Sequence, residues 1–124
     1  MLCQVTSPLI SLRSYINCIE YYNIHNKPIM TVNYIKDYIW KISGNKKIAI
    51  NYDYPNHPRS QDLPENYFQI NFGIVIIKIE DYFIYNNLVT PNTKFIPLDK
   101  KESIDIDDAV DFKIAENLFK NKAM

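Results

Sequence analysis

The chain has 124 residues, of which 47% are hydrophobic, and its formal net charge at pH 7 is zero. This length and composition are typical of one domain with a real core, so we expect a single domain over residues 1–124. A chain with no net charge lacks the excess of positive charge that attracts nucleic acid or an anionic membrane surface, and we expect neither as a partner. The longest apolar stretch, Phe72 to Ile77, is too short to span a bilayer.

Cysteine and glycine usage narrows the class of protein further. Cys3 and Cys18 lack metal-ligand spacing, and the N-terminus lacks the regions of a signal peptide, so we expect a reduced, cytoplasmic protein. The two glycines, Gly44 and Gly73, lie far apart. They cannot form a Walker loop or a Rossmann fingerprint, so a triphosphate-binding loop would have to come from elsewhere.

In chain order, the first predicted elements are a strand end, a helix and a strand. Gln4–Thr6 is expected to close a strand, and Ser11 to be the N-cap of a helix that runs to about Asn26. Ile29 to Tyr34 is apolar and β-branched, which predicts a buried strand. The helix is predicted by the helical spacing of four apolar residues, namely Leu12, Ile16, Ile19 and Tyr22.

A hairpin and a proline-rich arm are predicted next. Tyr38–Ile42 and Lys47–Tyr52 have the composition of two strands, and Ser43–Asn45 has that of the turn between them. Residues 53–64 are polar and contain three prolines, which predicts a long loop or an extended arm with a function of its own. Trp40 and Tyr38 are typical of packing or of a dimer surface.

The second half of the chain again alternates strands and helices. Tyr67–Ile79 predicts a central strand buried on both faces, Glu80–Asn87 a short helix, and Lys94–Pro97 a short strand. This alternation favours an α/β fold with a mainly parallel sheet, from which the hairpin and arm project. A last helix, capped by Asp107 or Asp108, should bury a stripe formed by Val110, Ile114, Ala115, Leu118 and Phe119.

Asp105 and Asp107 are the strongest candidates for chemistry. Ser103–Asp107 alternates polar and apolar residues, which predicts a strand with both carboxylates on one side and with Ile104 and Ile106 in the core. Two carboxylates at the carboxyl edge of an open α/β sheet are what Mg²⁺ uses to bridge to phosphates. The alternative interpretation is a solvated strand end followed by a helix cap.

Two other segments carry candidate ligand-binding groups. Gln4, Thr6 and Ser7 place polar side chains at a strand end, where they can hydrogen-bond a ligand or simply cap a turn. Arg59 in its polar loop can capture a carboxylate or a phosphate, or can lie solvated at the surface.

Several segments occur in the order found in acylneuraminate (CMP-sialic acid or CMP-nonulosonate) cytidylyltransferases. Leu2–Leu9 reads LCQVTSPL and resembles the family's LLQPTSPLR segment. Arg59–Pro64 reads RSQDLP and is similar to its RRQDLP arm and to the RSQDLP form of the pseudaminic-acid branch. Ser103–Asp107 with Asp111–Glu116 resembles its SIDIDTxxDFxxAE ending. Tyr38–Ile42 is similar to its short aromatic strand and Tyr67–Ile74 to its YxxNGAIYI strand, so the likeness covers this whole chain but only the C-terminal half of the family.

The resemblance implies an activity, a fold and a set of residues. The activity is transfer of CMP from CTP to a nonulosonic (sialic-acid-type) sugar with release of pyrophosphate, on a partial Rossmann-like nucleotidyltransferase fold with Mg²⁺ as cofactor. Asp105 and Asp107 would be the metal ligands and catalytic residues. A homodimer formed through an arm at about residues 38–66 is implied, and activity would require another chain to supply the N-terminal half. The implied substrate-binding residues are Gln4, Thr6, Ser7, Arg59, Gln61 and Asn71.

The sequence also departs from the family pattern. Ile10 stands where LLQPTSPLR has Arg, Ser60 where RRQDLP has its second Arg, and Phe72 where NGAIYI has Gly. The glycine-rich nucleotide loop is not among these residues. The alternative hypothesis is therefore a truncated, catalytically inactive remnant that acts as a binding or dimerisation module.

Overall fold

The computed structural model describes residues 1–121 as a mixed α/β protein with one four-stranded sheet and one two-stranded sheet. It divides into two compact units. The sheet unit comprises Met1–Asn33 and the chain from Ile70 onward, and the arm unit comprises Tyr34–Gln69, which contains the predicted arm. The elements in chain order are β1 (Leu2–Cys3), α1 (Leu12–His25), β2 (Ile29–Tyr34), β3 (Trp40–Ser43), β4 (Lys46–Ala49), a 3₁₀ turn (Ser60–Asp62), β5 (Phe68–Ile76), α2 (Ile79–Tyr85), β6 (Lys94–Pro97) and α3 (Ala109–Lys120).

The four-stranded sheet has the order β1-β5-β2-β6. β2 and β6 are parallel, and β1 is antiparallel to β5. Side-chain hydrogen bonds link Thr31 to Ile74 and Asn33 to Asn71. The residue numbers of the partners rise along β2 and fall along β5, so these two strands run in opposite directions. The α/β class is thus confirmed, but the sheet is only partly parallel, because β5 turns back between two strands that run the other way.

The core of the sheet unit lies between α1 and the central strands. Cys18, Ile29, Ile74 and Ile76 form its buried cluster, with tyrosines of α1 packed against it. Ser11 caps α1 by accepting the Ser14 N–H, as predicted, and Asn26 ends the helix in the left-handed conformation with φ 50°.

Of the four apolar residues whose spacing predicts α1, Tyr22 packs against the core and the other three do not. Leu12 is 75% exposed, and Ile16 and Ile19 are also exposed, whereas Cys18 is fully buried. The helix has a second apolar face at Tyr15, Cys18 and Tyr22, and the small Cys18 lets the backbone approach the sheet closely.

The predicted stripe of α3 is wrong for three of its five residues, since Val110, Ile114 and Phe119 are exposed. Ala115 is buried and Leu118 is partly buried, so the helix contacts the protein along a narrow line. Small side chains again permit the close approach, while the larger ones point away. Among residues 1–121, no helix combines the length and apolarity needed to cross a bilayer.

The hairpin predicted in the arm unit is confirmed. β3 and β4 are antiparallel with Ser43 opposite Lys46, which leaves Gly44 and Asn45 as the turn. Gly44 has φ 58°, and positive φ at the first central position alone is the pattern of a type II′ turn. Asn51, which is 2% exposed, accepts from the Ile39 N–H and donates to the Asp37 carbonyl, so it fixes the chain leading into the hairpin.

Candidate functional site

Two segments from opposite ends of the sequence meet beside β1. The Thr6 carbonyl accepts a hydrogen bond of 2.9 Å from the Ile106 N–H. The turn that holds Thr6 is closed by the Ser7 N–H, which donates to the Gln4 carbonyl at 3.3 Å, and is fastened to β5 by the Gln4 N–H, which donates to the Gly73 carbonyl at 3.2 Å. The fold therefore brings the predicted residues Gln4, Thr6 and Ser7 next to the segment that carries Asp105 and Asp107.

The predicted strand at Ser103–Asp107 is wrong. Residues 101–103 form a turn, in which the Ser103 N–H donates to the Asp99 carbonyl at 3.0 Å, and residues 104–107 are irregular. The backbone hydrogen bond to Thr6 is not followed by the further bonds that a strand would make. Alternating polarity occurs in any extended segment, so it does not by itself indicate a strand. Ile104 and Ile106 are only partly buried. Strand geometry therefore does not dictate that the two carboxylates point the same way.

Buried oxygens without partners mark this junction. Thr6 Oγ1 and Asp105 Oδ1 are both inaccessible to solvent, and neither has a hydrogen-bond partner among the described residues. An unpaired buried polar group costs about 1–3 kcal/mol, so native proteins rarely leave two of them on adjoining segments. A cation, a water molecule or a polar ligand is the kind of partner that such oxygens need.

Asp107 is exposed, and its carboxylate makes no hydrogen bond or ion pair with the residues between 1 and 121. Of the two candidate caps of α3, the structure selects Asp108, whose Oδ1 accepts from Val110 N–H at 2.7 Å and Asp111 N–H at 3.0 Å. The Asp111 carboxylate closes a capping box by accepting from the Asp108 N–H. The Asp107 side chain is therefore not needed to start the helix.

The donor set fits some metals and not others. No group of three or more His, Cys, Asp or Glu side chains suited to a metal occurs in the part of the chain that the structure describes. Asp105 and Asp107, with the Thr6 hydroxyl, offer oxygen ligands only. Mg²⁺ is commonly held by one or two carboxylates while water and substrate phosphates complete its octahedron, whereas zinc sites require more nitrogen or sulfur ligands. The oxygen-only donor set is therefore compatible in its chemistry with a hard cation and not with zinc.

Glu102 organises this region, and the sequence analysis did not identify it. Its carboxylate is 8% exposed, and it accepts from the Ser11 N–H at 2.9 Å and from the Ser14 hydroxyl at 2.7 Å. Its own N–H donates to Asp99 Oδ1 at 2.8 Å. Glu102 thus fastens the segment before Asp105 to the N-terminus of α1, where a negative charge also complements the helix dipole. Its partners are 91 and 88 residues away, so no local pattern marks it.

Burial, and to a smaller extent the negative charge of Glu102, raises the pKa of the Cys18 thiol to about 11. Cys18 is therefore a neutral core residue at physiological pH rather than a nucleophile.

Asn71, predicted to bind substrate, has a structural hydrogen-bond network. Its Oδ1 accepts from the Thr31 hydroxyl at 2.7 Å and from the Gly73 N–H at 3.0 Å, and its Nδ2 donates to Asn33 Oδ1 at 2.7 Å. The network supports a tight bend in β5. Phe72 there has φ 55°, and a Cβ at Gly73 would lie 2.6 Å from Ile10 Cδ1.

Arg59 and Gln61 lie in the arm unit. Arg59 Nε donates to Asp62 Oδ2 at 2.8 Å, and both side chains are well exposed. Gln61 is exposed in the 3₁₀ turn Ser60–Asp62 and makes no hydrogen bond through its side chain with the described residues. The Arg59 guanidinium is therefore occupied by a neighbour, although an exposed pair of this kind is weak and exchangeable.

No protein-family model matches this chain, and a search of curated proteins finds no match. The functional inference therefore depends on the motifs in the sequence and on the geometry of the junction between Thr6 and Ile106.

Proposed function

We propose that the sheet unit carries the metal-binding part of a cytidylyltransferase site, which transfers CMP from CTP to a nonulosonic sugar. The observation that supports this proposal is the junction at Thr6 and Ile106, where two motifs from opposite ends of the sequence meet and two buried oxygens lack partners. A partly parallel α/β sheet is compatible with a Rossmann-like nucleotidyltransferase fold, in which ligands bind at the carboxyl edge.

Each proposed role follows from the chemistry of the side chain. Asp105 and Asp107 would hold Mg²⁺ through carboxylate oxygens, and Thr6 is hydrogen-bonded through its backbone to Ile106, the residue between them. The bound ion would neutralise the phosphates of CTP and the charge that develops during transfer. Gln4 and Ser7 hydrogen-bond the sugar from the turn after β1, and Glu102 holds Asp105 in register with that turn.

Asn71 maintains the shape of this part of the sheet unit through its network. The arm unit has candidate groups of its own, in which Arg59 binds a sugar carboxylate after exchanging Asp62 for it and Gln61 contacts a sugar hydroxyl. The two glycines of this chain are too far apart to cradle a triphosphate. The phosphate-binding loop must therefore be supplied by residues outside these 124, in this polypeptide or in a separate chain.

A dimerisation module is the second candidate, and the surface of the arm unit favours it. Ile42 is 74% exposed, and Trp40 on the same face of the hairpin and Tyr54, whose ring contacts Trp40, are also exposed. A two-stranded hairpin is marginally stable in water, and a contiguous apolar surface of this kind is typical of an interface. A second copy of the arm would cover it. Sedimentation should then show a dimer that Ile42→Lys converts to a monomer, and a monomeric wild-type chain would contradict this role.

Metal binding tests the catalytic proposal without the missing loop. Titration of the chain with Mn²⁺, followed by its electron paramagnetic resonance signal, should show one site that Asp105→Asn weakens at least about tenfold. Glu20→Gln, which removes an exposed carboxylate on α1, is the matched control and should leave the affinity unchanged. Equal affinities for wild type and Asp105→Asn would refute the metal site.

Turnover tests the activity itself. With a segment that supplies the phosphate loop, we expect Mg²⁺-dependent release of pyrophosphate from CTP in the presence of a nonulosonic acid, abolished by Asp105→Ala. An absence of turnover with every nonulosonic acid tried would contradict the proposed activity while leaving the metal site intact.

A further inference from the structure

The arm unit contains a cavity that the proposed function does not use. It has a volume of about 510 Å³ and is lined by Tyr52, Asp53, Asn56, His57 and Asp62 together with two prolines. This volume is in the range of small-molecule sites and suits a ligand of the size of an amino acid side chain or a small amine. We call it the aromatic pocket.

Aromatic rings build and hold one wall of the aromatic pocket. The rings of three residues contact one another, with centroid distances of 4.6 Å for Tyr38–His57, 4.8 Å for Tyr52–His57 and 5.5 Å for Tyr38–Tyr52. The Tyr38 hydroxyl donates to the Pro58 carbonyl at 2.6 Å, which fixes the loop that follows His57. The Asn56 N–H donates to the Asp53 carbonyl at 2.9 Å and closes the turn between them. The wall is therefore preorganised, so little ordering is needed when a ligand binds.

The charge of the aromatic pocket is negative. The Asp53 carboxylate makes no hydrogen bond or ion pair within residues 1–121, whereas Asp62 is neutralised by Arg59. Tyr52 is 9% exposed, and its hydroxyl lacks a hydrogen-bond partner among those residues. An unpaired carboxylate beside the faces of aromatic rings attracts cations and repels phosphate or carboxylate ligands.

We propose that the aromatic pocket binds an organic cation, an ammonium or guanidinium group, at the Asp53 carboxylate and beside the exposed His57 ring. The cation pairs with Asp53, and the aromatic wall of the pocket provides the weakly hydrated surface against which its apolar part packs. The same chemistry is present in a free amine and in a lysine or arginine side chain of a partner protein. This inference does not rest on the proposed transferase activity, because neither Asp53 nor His57 has a role in it.

The histidine signals provide a direct test. The sequence has two histidines, His57 in the aromatic pocket and His25 at the end of α1, so proton NMR of their rings gives a reporter and an internal reference. The His25→Gln variant assigns the two signals. Titration with arginine amide at constant pH should shift the His57 signal saturably, with millimolar affinity, and should leave the His25 signal in place. Citrulline amide, the neutral isostere, should have no such effect.

Matched variants identify the group that binds the cation. Asp53→Asn should weaken binding about tenfold, because it removes the unpaired charge, while Asp37→Asn, an exposed carboxylate of the same unit, should not change it. An arginine-containing peptide that binds more tightly than arginine amide would assign the site to a protein partner, and the reverse order to a free amine. The proposal is overturned if the His57 signal does not respond, if citrulline amide acts equally, or if Asp53→Asn binds like wild type.

Discussion

Removal of the Glu102 carboxylate is expected to destabilise the sheet unit more than any comparable change at the surface. In Glu102→Ala, the Ser11 N–H and the Ser14 hydroxyl lose acceptors at 2.9 Å and 2.7 Å in a region that is mostly buried. Hydrogen bonds to a charged group contribute about 1.5–3 kcal/mol each, and a charge at a helix N-terminus about 0.3–1 kcal/mol. Because partial solvent access to α1 reduces the loss, we expect the free energy of unfolding to fall by about 3 kcal/mol.

Glu102→Gln separates the charge from the hydrogen bonds. The glutamine oxygen can still accept from the Ser11 N–H, and its amide can donate to the Ser14 hydroxyl, so only about 1 kcal/mol should be lost. Urea denaturation followed by circular dichroism gives both values, provided that the slopes are equal. Glu116→Ala removes an exposed carboxylate that pairs with Lys120 at 2.7 Å and should cost about 0.5 kcal/mol.

The difference in stability between Glu102→Ala and Glu116→Ala tests whether Glu102 joins the two segments. If Glu102→Ala is no more destabilising than Glu116→Ala, Glu102 does not hold the two segments together. Its positioning role predicts in addition that Glu102→Ala, which loses both hydrogen bonds, weakens the binding of Mn²⁺ although the protein remains folded, whereas Glu102→Gln, which keeps them, binds Mn²⁺ nearly as wild type does. An unchanged Mn²⁺ affinity in Glu102→Ala would reject that role.

Three further predictions follow from single residues. Phe72→Gly should be more stable than Phe72→Ala by about 1 kcal/mol, the reverse of the usual order in strands, because φ is 55° there; denaturation that ranks Ala higher would contradict this. Asp108→Ala should cost about 1 kcal/mol through loss of the α3 cap and Asp107→Ala under about 0.5 kcal/mol, and equal costs in the same assay would exclude the assigned cap. The pKa of Cys18 is raised to about 11, so the neutral thiol stabilises the fold fully below its unfolded pKa and this stabilisation is lost as pH rises through 11. Unfolding measured across pH 9–11 should show this loss in wild type but not in Cys18→Ala, and parallel curves would count against it.

Local signals predicted most elements of the fold. β2 and β6 begin and end at the predicted residues, and α1 begins after Ser11 as predicted, because runs of β-branched residues and side-chain caps act within a few residues. The hairpin was predicted for the same reason, since Gly44 supplies the positive φ of its turn.

The sequence by itself determined most element types, the α/β class and the residue types that offer oxygen ligands to a cation. Only the tertiary structure decided which helix faces are buried, because α1 and α3 each have more than one apolar face and the buried face is the one with the small residue, Cys18 or Ala115. It also decided that Asp105 lies on an irregular segment held by Thr6, and that Glu102 caps a helix about ninety residues away. These contacts join groups that are distant in the chain, and no periodicity within one segment encodes the partner that another segment provides.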